Sequence, residues 1–545
     1  MASRFEHLPH RRAIVDRRAL AETIAALPED GLRNRAVALL KEALAAGRTE
    51  IARRLAERPT RGLEIAAAQA YLIDRLVVIL FDLATTRLHP EGEPITLLAV
   101  GGYGRGEMAA HSDIDIGFLT RNAPAPATAQ VIETMLYALW DLGLKVGHSS
   151  RSLDEMIRQA KADVTVRTAL LEARFVTGDA TLYDDAARRF KAEIQRGTER
   201  QFIADKLAER DARHRRMGDT RYVVEPNVKE GKGSLRDLHA LFWIGKYIFD
   251  VQRARQLVDV GLFTPQEYRG FHRADDFLWA VRCHLHVITG RAEDRLTFDV
   301  QREVAARMRF HDRNDKPAVE RFMQFYFLQA RTVGTLTGVF LAHLDERFAS
   351  RGRRFGLPHL RRSPKRLNGF VLDRGRLALP DDGFFRDDPI RLLEIFALAD
   401  AHRLEIHPLA MRAASRDAKL IDEYRQHPRA NALFLEVLTS PGDPELVLRW
   451  MNEAGVMGRF IPDFGRVVAM MQFDMYHHFT VDEHTIQAIG LLARIEAGTL
   501  VEDHPLASAI FDQIVSRRVL RVAVLLHDIA KGRGGDQSIL GAEVA

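Results

Sequence analysis

The chain of 545 residues contains a single cysteine, Cys283. One thiol cannot close an intrachain disulfide, and a zinc site built on cysteines is excluded. Cys283 therefore reads as a small buried apolar residue. Long hydrophobic runs are also missing. The longest near the start, "LVVILF" at 76–81, is far too short to span a bilayer. The opening stretch "MASRFEHLPHRRAIVDRR" has no apolar core of the kind a secretory signal needs, so the protein is expected in the cytoplasm, away from membranes. No charge sign dominates: Lys plus Arg is 79 and Asp plus Glu is 74, a formal net charge of +5. That balance permits nucleotide binding without demanding a nucleic-acid partner. Internal repeats and low-complexity tracts are absent, which argues against a solenoid or a disordered tail. What remains is an ordinary globular composition, 46% apolar and 28% charged, long enough for three or four domains.

The texture changes along the chain. "DGLRNRAVALLKEALAAGRTEIARRLAE" carries apolar residues at helical spacing, and residues 1–70 are expected as an N-terminal helical segment. "PITLLAV" at 94–100 is a short β-rich run entering a glycine turn, and "DIDIGFL" follows as a second strand. These fall in a domain expected over 71–190. A further helical domain is expected over 191–345. The stretch "RGRRFGLPHLRRSPKRLNG" at 351–369 mixes Arg, Pro and Gly, and 346–384 is expected as a linker. Residues 385–545 read as a second helical region. The ending "SILGAEVA" has no polar tail and reads as interrupted.

The segment "GGYGRGEMAAHSDIDIGFL" at 101–119 carries the first chemistry. Side chains alternate along a strand, so Asp113 and Asp115 share one face while Ile114, Ile116 and Phe118 face a core. Two adjacent carboxylates repel each other unless a hard divalent cation sits between them, and oxygen ligands suit Mg²⁺. Paired metals can clamp the attacking and leaving oxygens of a phosphoryl transfer. Gly101, Gly102 and Gly104 let backbone N–H groups approach a phosphate. Ser112 adds a hydroxyl donor. Arg105 either pairs with Glu107 to brace the turn or faces the nucleotide.

This segment resembles the signature of the nucleotidyltransferase superfamily that includes DNA polymerase β, in which a glycine pair precedes an [Asp/Glu]-x-[Asp/Glu] strand. The resemblance implies a small mixed sheet flanked by helices, Mg²⁺, and transfer of a nucleotidyl group from an NTP with release of pyrophosphate. It also implies a third carboxylate on a neighbouring strand. In "WDLGLKVGHSSRS" (140–152) Lys145 stands where an acid would be convenient, which leaves Asp163 and Glu172 as candidates.

"EPNVKEGKGSLRDLHALFWIGKY" spans 225–247. Pro226, Gly231 and Gly233 make a turn, and Ser234 reads as the N-cap of a helix starting at Leu235. Lys229, Lys232 and Arg236 gather positive charge beside that helix start, which suits a triphosphate. The turn, together with "WDLGLKVGHSSRSLDE", resembles the bifunctional uridylyltransferase/uridylyl-removing family of bacterial nitrogen regulation. The resemblance implies UTP as substrate and a tyrosine of the PII signal protein as acceptor. It implies nucleotide contacts from Gly101, Gly102, Gly104, Arg105, Ser112, Lys229 and Arg236.

The third segment is "MMQFDMYHHFTVDEHT" (470–485) with "RVAVLLHDIAKGRGGDQS" (521–538). His527 and Asp528 end an apolar helix, and His484 lies on another. Imidazole nitrogens plus one carboxylate suit Mn²⁺, Fe²⁺ or Zn²⁺. Together these strings resemble the HD phosphohydrolase superfamily, an all-helical metal-dependent fold. His477 and His478 read as outer or packing residues. Gln537 stands where related chains have histidine, the last Asp of the pattern is expected beyond Ala545, and the glutamine-sensing ACT domains of the family are not present. The expected class is therefore α+β and predominantly helical: a polymerase β-like domain with a helical extension, then an incomplete all-α HD domain. A transferase acting on RNA ends or on another protein, and a non-catalytic nucleotide-binding regulator, stay open as alternatives.

Overall fold

The computed structural model describes residues 5–218, 220–313, 316–352, 366–473, 478–533 and 537–545. The chain divides into two compact units. The first comprises Met1–Asp219, Asn227–Val260 and Tyr268–Arg309; the second comprises Thr220–Pro226, Gly261–Glu267 and Phe310–Ala545. The α+β, predominantly helical class expected from the sequence is the class observed.

In the first unit, helices α1 (Leu32–Glu57) and α2 (Gly62–Leu83) precede the sheet. Helix α2 is apolar almost all round and buried along its length, as such a helix must be. It contains "LVVILF", and among the described residues no helix is long and apolar enough to cross a membrane. Its one buried acid, Asp74, is met by Arg174 through two hydrogen bonds of 2.8 and 2.9 Å. Because α2 runs unbroken through residue 70, the domain break expected there is not a break in the structure.

Four strands form the sheet: β1 (Thr96–Ala99), β2 (Ile114–Thr120), β3 (Val146–Ser152) and β4 (Arg174–Gly178), in the order β3-β2-β1-β4. Strand β1 runs antiparallel to β2 and β4, whereas β2 and β3 are parallel. A parallel pair needs a crossover, and helix α3 (Pro126–Asp141) supplies it. Ile114, Ile116 and Phe118 are buried as the alternation requires. Past Asp115 the other face is covered too, since Leu119 is also buried. Only the start of β2 is open, and that is where the aspartates lie.

In the second unit, helix α4 (Ala318–Gly352) leads toward a small sheet of β5 (Arg366–Leu367), β6 (Phe370–Asp373), β7 (Arg376–Ala378) and β8 (Glu405–Ile406). Residues 353–365, the basic centre of the expected linker, lie outside the described residues. The rest of 346–384 is not a linker: helix α4 occupies its start, and Phe370 and Leu377 are fully buried in the core of this unit. The compact units meet in sequence near 309–310 rather than at 345. Short strands flanked by Asn, Gly and Arg have too little apolar length to announce themselves in sequence. Removing a fully buried phenylalanine costs about 3–5 kcal/mol. Phe370→Ala is therefore expected to lower the denaturation midpoint in urea, where a true linker position would leave it unmoved.

Candidate active sites

Strand β1 ends in a one-turn helix, Gly101–Arg105, and the chain then returns through residues 106–113 into β2. Asp113 stands just before β2 and is exposed; Asp115 lies inside it and is half-buried. Burial and the charge of Asp113 push the Asp115 carboxyl up, while Lys229 and Arg105 pull it down. Two like charges so arranged favour a cation between them. Asp115 pairs in register with Gly147 on β3, and a Cβ there would stand 2.5 Å from its Oδ1. Gly101, at φ +58°, is also close: a Cβ would lie 3.0 Å from the other carboxylate oxygen. The pocket for Asp115 is thus built from two glycines.

The other turn residues divide by role. Gly101 and Gly102 open the short helix, where amide N–H groups lack intrahelical acceptors. The N–H of Gly104 is instead used by the carbonyl of Val100, at 2.9 Å. Gly104 is glycine for packing, since a Cβ would lie 2.5 Å from the Glu172 carbonyl and 2.8 Å from that of Ala99. Arg105 is buried; its Nε donates to Glu107 at 2.9 Å and its Nη1 to Glu172 at 2.6 Å. Of the two roles expected for Arg105, the brace is the one its hydrogen bonds to Glu107 and Glu172 form. Ser112 accepts from the Ala109 N–H at 3.0 Å and keeps its own proton for donation.

The expected third carboxylate is not at the pair. Glu172 is committed to Arg105 and to the Trp243 indole N–H. Asp163 caps the helix Val164–Leu171, accepting from Thr165 and Val166. Lys145 is exposed and one residue before the Ile114–Val146 pair, hence across from Asp113. Among the described residues no third metal-ligating acid gathers with Asp113 and Asp115.

The lysine turn folds as a helix start, at Leu235 as expected, but its cap differs. The Ser234 hydroxyl donates to the Lys229 carbonyl at 2.7 Å and makes no cap bond. Asp237 instead takes the Gly233 N–H at 2.8 Å, and also pairs with Arg213 and His214. Arg236 is held by Glu230 at 2.8 Å and lies over the Trp243 ring. Lys229 is more loosely held, 3.9 Å from Asp294 and 4.0 Å from Glu230.

In the second unit, His484 opens the helix Val481–Glu496, and His527 and Asp528 follow the helix Arg517–Leu526. One ligand atom from each lies within 4.8 Å of the others. A carbonyl only accepts, so the 2.6 Å contact from His527 Nδ1 to Val524 O puts a proton on Nδ1 and turns Nε2 toward the cluster. Burial pushes the Asp528 carboxyl up, but His527 and Lys531 outweigh it and hold it at about 2. The set of two imidazoles and an ionised carboxylate fits a divalent transition metal. His478 is exposed; His477 lies outside the described residues, as does the side chain of Gln537.

Three family models match: GlnD PII-uridylyltransferase over residues 201–341, the uridylyltransferase GlnD third domain over 370–460, and the nucleotidyltransferase model DUF294 over 47–162. The chain is 62% identical to the bifunctional uridylyltransferase/uridylyl-removing enzyme of Novosphingobium aromaticivorans, over 99% of this chain and 60% of the relative. Against the enzymes so named from Erythrobacter litoralis and Rhodospirillum rubrum, identity is 58% and 51%, over 99% and 98% of this chain and 60% and 58% of theirs. The chain belongs to the bifunctional uridylyltransferase/uridylyl-removing family. It spans about 60% of the length of these relatives.

Within this uridylyltransferase family chain, several residues around the site carried no motif signal. Gly147 is a lone glycine on a strand. His286 and Asp294 sit in a helix and the loop after it, far in sequence from the aspartates. Asp237 belongs to the lysine turn, where its sequence context reads as phosphate binding rather than as a buried ion-pair centre. Forcing a Cβ against backbone carbonyls costs about 1–3 kcal/mol. Gly104→Ala is accordingly expected to lower unfolding free energy by that amount in urea titrations, with Gly102→Ala, whose nearest atom would be 3.2 Å away, costing less.

Proposed function

We propose that the first unit transfers UMP from UTP to a tyrosine hydroxyl of the PII protein, releasing pyrophosphate, and that the histidine–aspartate site of the second unit removes UMP by hydrolysis. The observation that carries the transferase reading is the Asp113–Asp115 pair on one face at the open start of β2. In this reading the two carboxylates hold Mg²⁺, which supplies charge neutralisation and in-line alignment at the α-phosphorus. Gly101 and Gly102 present amides, Ser112 a hydroxyl, and Lys229 a movable ammonium to the triphosphate. Arg236 contributes charge from its place beside Glu230. Arg105 acts indirectly, by holding the turn to Glu172.

For the hydrolytic site, His484, His527 and Asp528 hold a divalent metal, Mn²⁺ or similar, which makes a bound water acidic enough to attack a phosphodiester. Glutamine is the effector in this proposal and the cytoplasm the compartment. The names of the relatives support the pairing of activities.

Replacing either aspartate with asparagine removes the charge that organises the reacting phosphate. Asp113→Asn and Asp115→Asn are each expected to slow labelled UMP transfer from UTP to purified PII by at least about 10²-fold. Transfer at the unsubstituted rate by either variant would overturn the reading. At the second site, His527→Ala is expected to weaken Mn²⁺ binding in calorimetry by about 10-fold or more. The hydrogen bond to Asp528 raises the pKa of His527. Protons therefore compete for Nε2 from a higher pH than at an ordinary imidazole, and Mn²⁺ affinity falls as pH is lowered through that range.

A further inference from the structure

Asp294 lies in the loop after the helix Pro265–Thr289, 179 positions beyond Asp115 in sequence, yet it joins the two turns of the transferase site. Its side chain takes Arg282 Nε at 2.7 Å and stands 3.4 Å from His286 Nε2. Its second oxygen is 3.9 Å from the Lys229 ammonium. Its backbone carbonyl accepts the Val228 N–H at 2.8 Å, and the adjacent residues Asn227 and Arg295 form a bridge. Main chain and side chain together therefore fix the lysine turn.

The other arm runs through His286. This side chain is fully buried, and its Nδ1 accepts the backbone N–H of His111 at 3.2 Å. An accepting Nδ1 carries no proton, so in the neutral ring Nε2 bears it and directs it at Asp294. The tautomer is thus set by an anion on one side and a backbone donor on the other. His111 belongs to a tight turn closed by Ser112 N–H to Ala109 O at 3.1 Å and Ala109 N–H to Ser112 Oγ at 3.0 Å. Asp113 is the next residue. Two side chains from helices distant in sequence tie this turn down: His286 at the His111 N–H, and Arg48, whose Nη2 donates to the Ala110 carbonyl at 3.2 Å.

We propose that Asp294 is a positioning residue for nucleotidyl transfer, setting the metal-binding turn through His286 and the phosphate-binding turn through Lys229. This rests on the transferase reading above. Without nucleotide, the loose 3.9 Å contact keeps the ammonium near a carboxylate; with nucleotide, the ammonium swings to the phosphates while Asp294 stays neutralised by Arg282. A group with a purely structural role would affect folding and leave the dependence on UTP and Mg²⁺ alone.

The test uses Asp294→Asn, His286→Gln and His286→Asn in the full chain. Asparagine at 286 places its Oδ1 where Nδ1 accepts from His111; glutamine reaches toward Asp294 and leaves that backbone donor unmet. KM for UTP, kcat, the Mg²⁺ concentration for half-maximal rate and the melting temperature are measured with PII as acceptor. Asp294→Asn is expected to raise KM for UTP and the Mg²⁺ requirement by about fivefold or more, and His286→Gln chiefly the Mg²⁺ requirement. His286→Asn is expected to stay within about twofold of the parent on both. Unchanged KM and Mg²⁺ dependence in Asp294→Asn and His286→Gln, or equal losses in both His286 variants, would overturn the proposal. If Asp294→Asn does not fold, the two His286 variants decide it. If the parent chain does not transfer UMP, the transferase reading fails instead, and calorimetry with Mg²⁺ and UTP carries the same comparison: weaker binding in His286→Gln than in His286→Asn supports the role, and equal binding removes it.

Discussion

The repulsion between Asp113 and Asp115 is the constraint around which the first unit is arranged. Burial makes the second of these carboxylates harder to ionise, and its neighbour makes it harder still. A fold that keeps such a pair at the mouth of a strand must surround it with compensating charge or leave it for a cation. It does both. Lys229 and Arg105 lower the cost from different directions, and the face that the two acids share is left free of any third acid among the described residues.

Holding the acids in place requires a rigid turn, and the rigidity comes from buried ion pairs. Arg105 spans Glu107 and Glu172, and Glu172 is itself fixed by the Trp243 indole. Asp237 collects Arg213, His214 and the Gly233 amide beneath the lysine turn. Such pairs add little net stability relative to apolar packing, but removing one partner costs about 3–5 kcal/mol because the other charge stays buried. Their use here is geometric. Arg105, beside the glycine turn, is tied into the scaffold, whereas Lys229 of the lysine turn is held at 3.9 and 4.0 Å from its carboxylates.

The second unit shows the same economy with different donors. A carbonyl one turn back, at Val524, sets the tautomer of His527, while Lys531 and His527 keep Asp528 ionised. The "HDIAK" string reads as chemistry because its helical spacing brings these groups together locally. The strands at 366–378 had no such local signature. Their apolar residues are few, and only packing in the tertiary core distinguishes Phe370 and Leu377 from residues of a basic linker.

The sequence alone determined the elements whose logic is periodic or contiguous. These are the β2 alternation that puts Asp113 and Asp115 on one face, the helix start at Leu235, and the adjacent His527 and Asp528. What it left open depended on residues far apart in the chain. That Arg105 braces the turn was decided by Glu172, 67 positions away. Whether Glu172 and Asp163 bind metal was decided by a buried indole and by a helix N-terminus. How the aspartate turn is anchored was decided by Arg48, 62 positions from Ala110, and by His286, 175 positions from His111. Short-range patterns encode backbone geometry, because dihedral preferences and side-chain periodicity are local. Which charge finds which partner is encoded only by folding, because an ion pair depends on distance in space and not on separation along the chain.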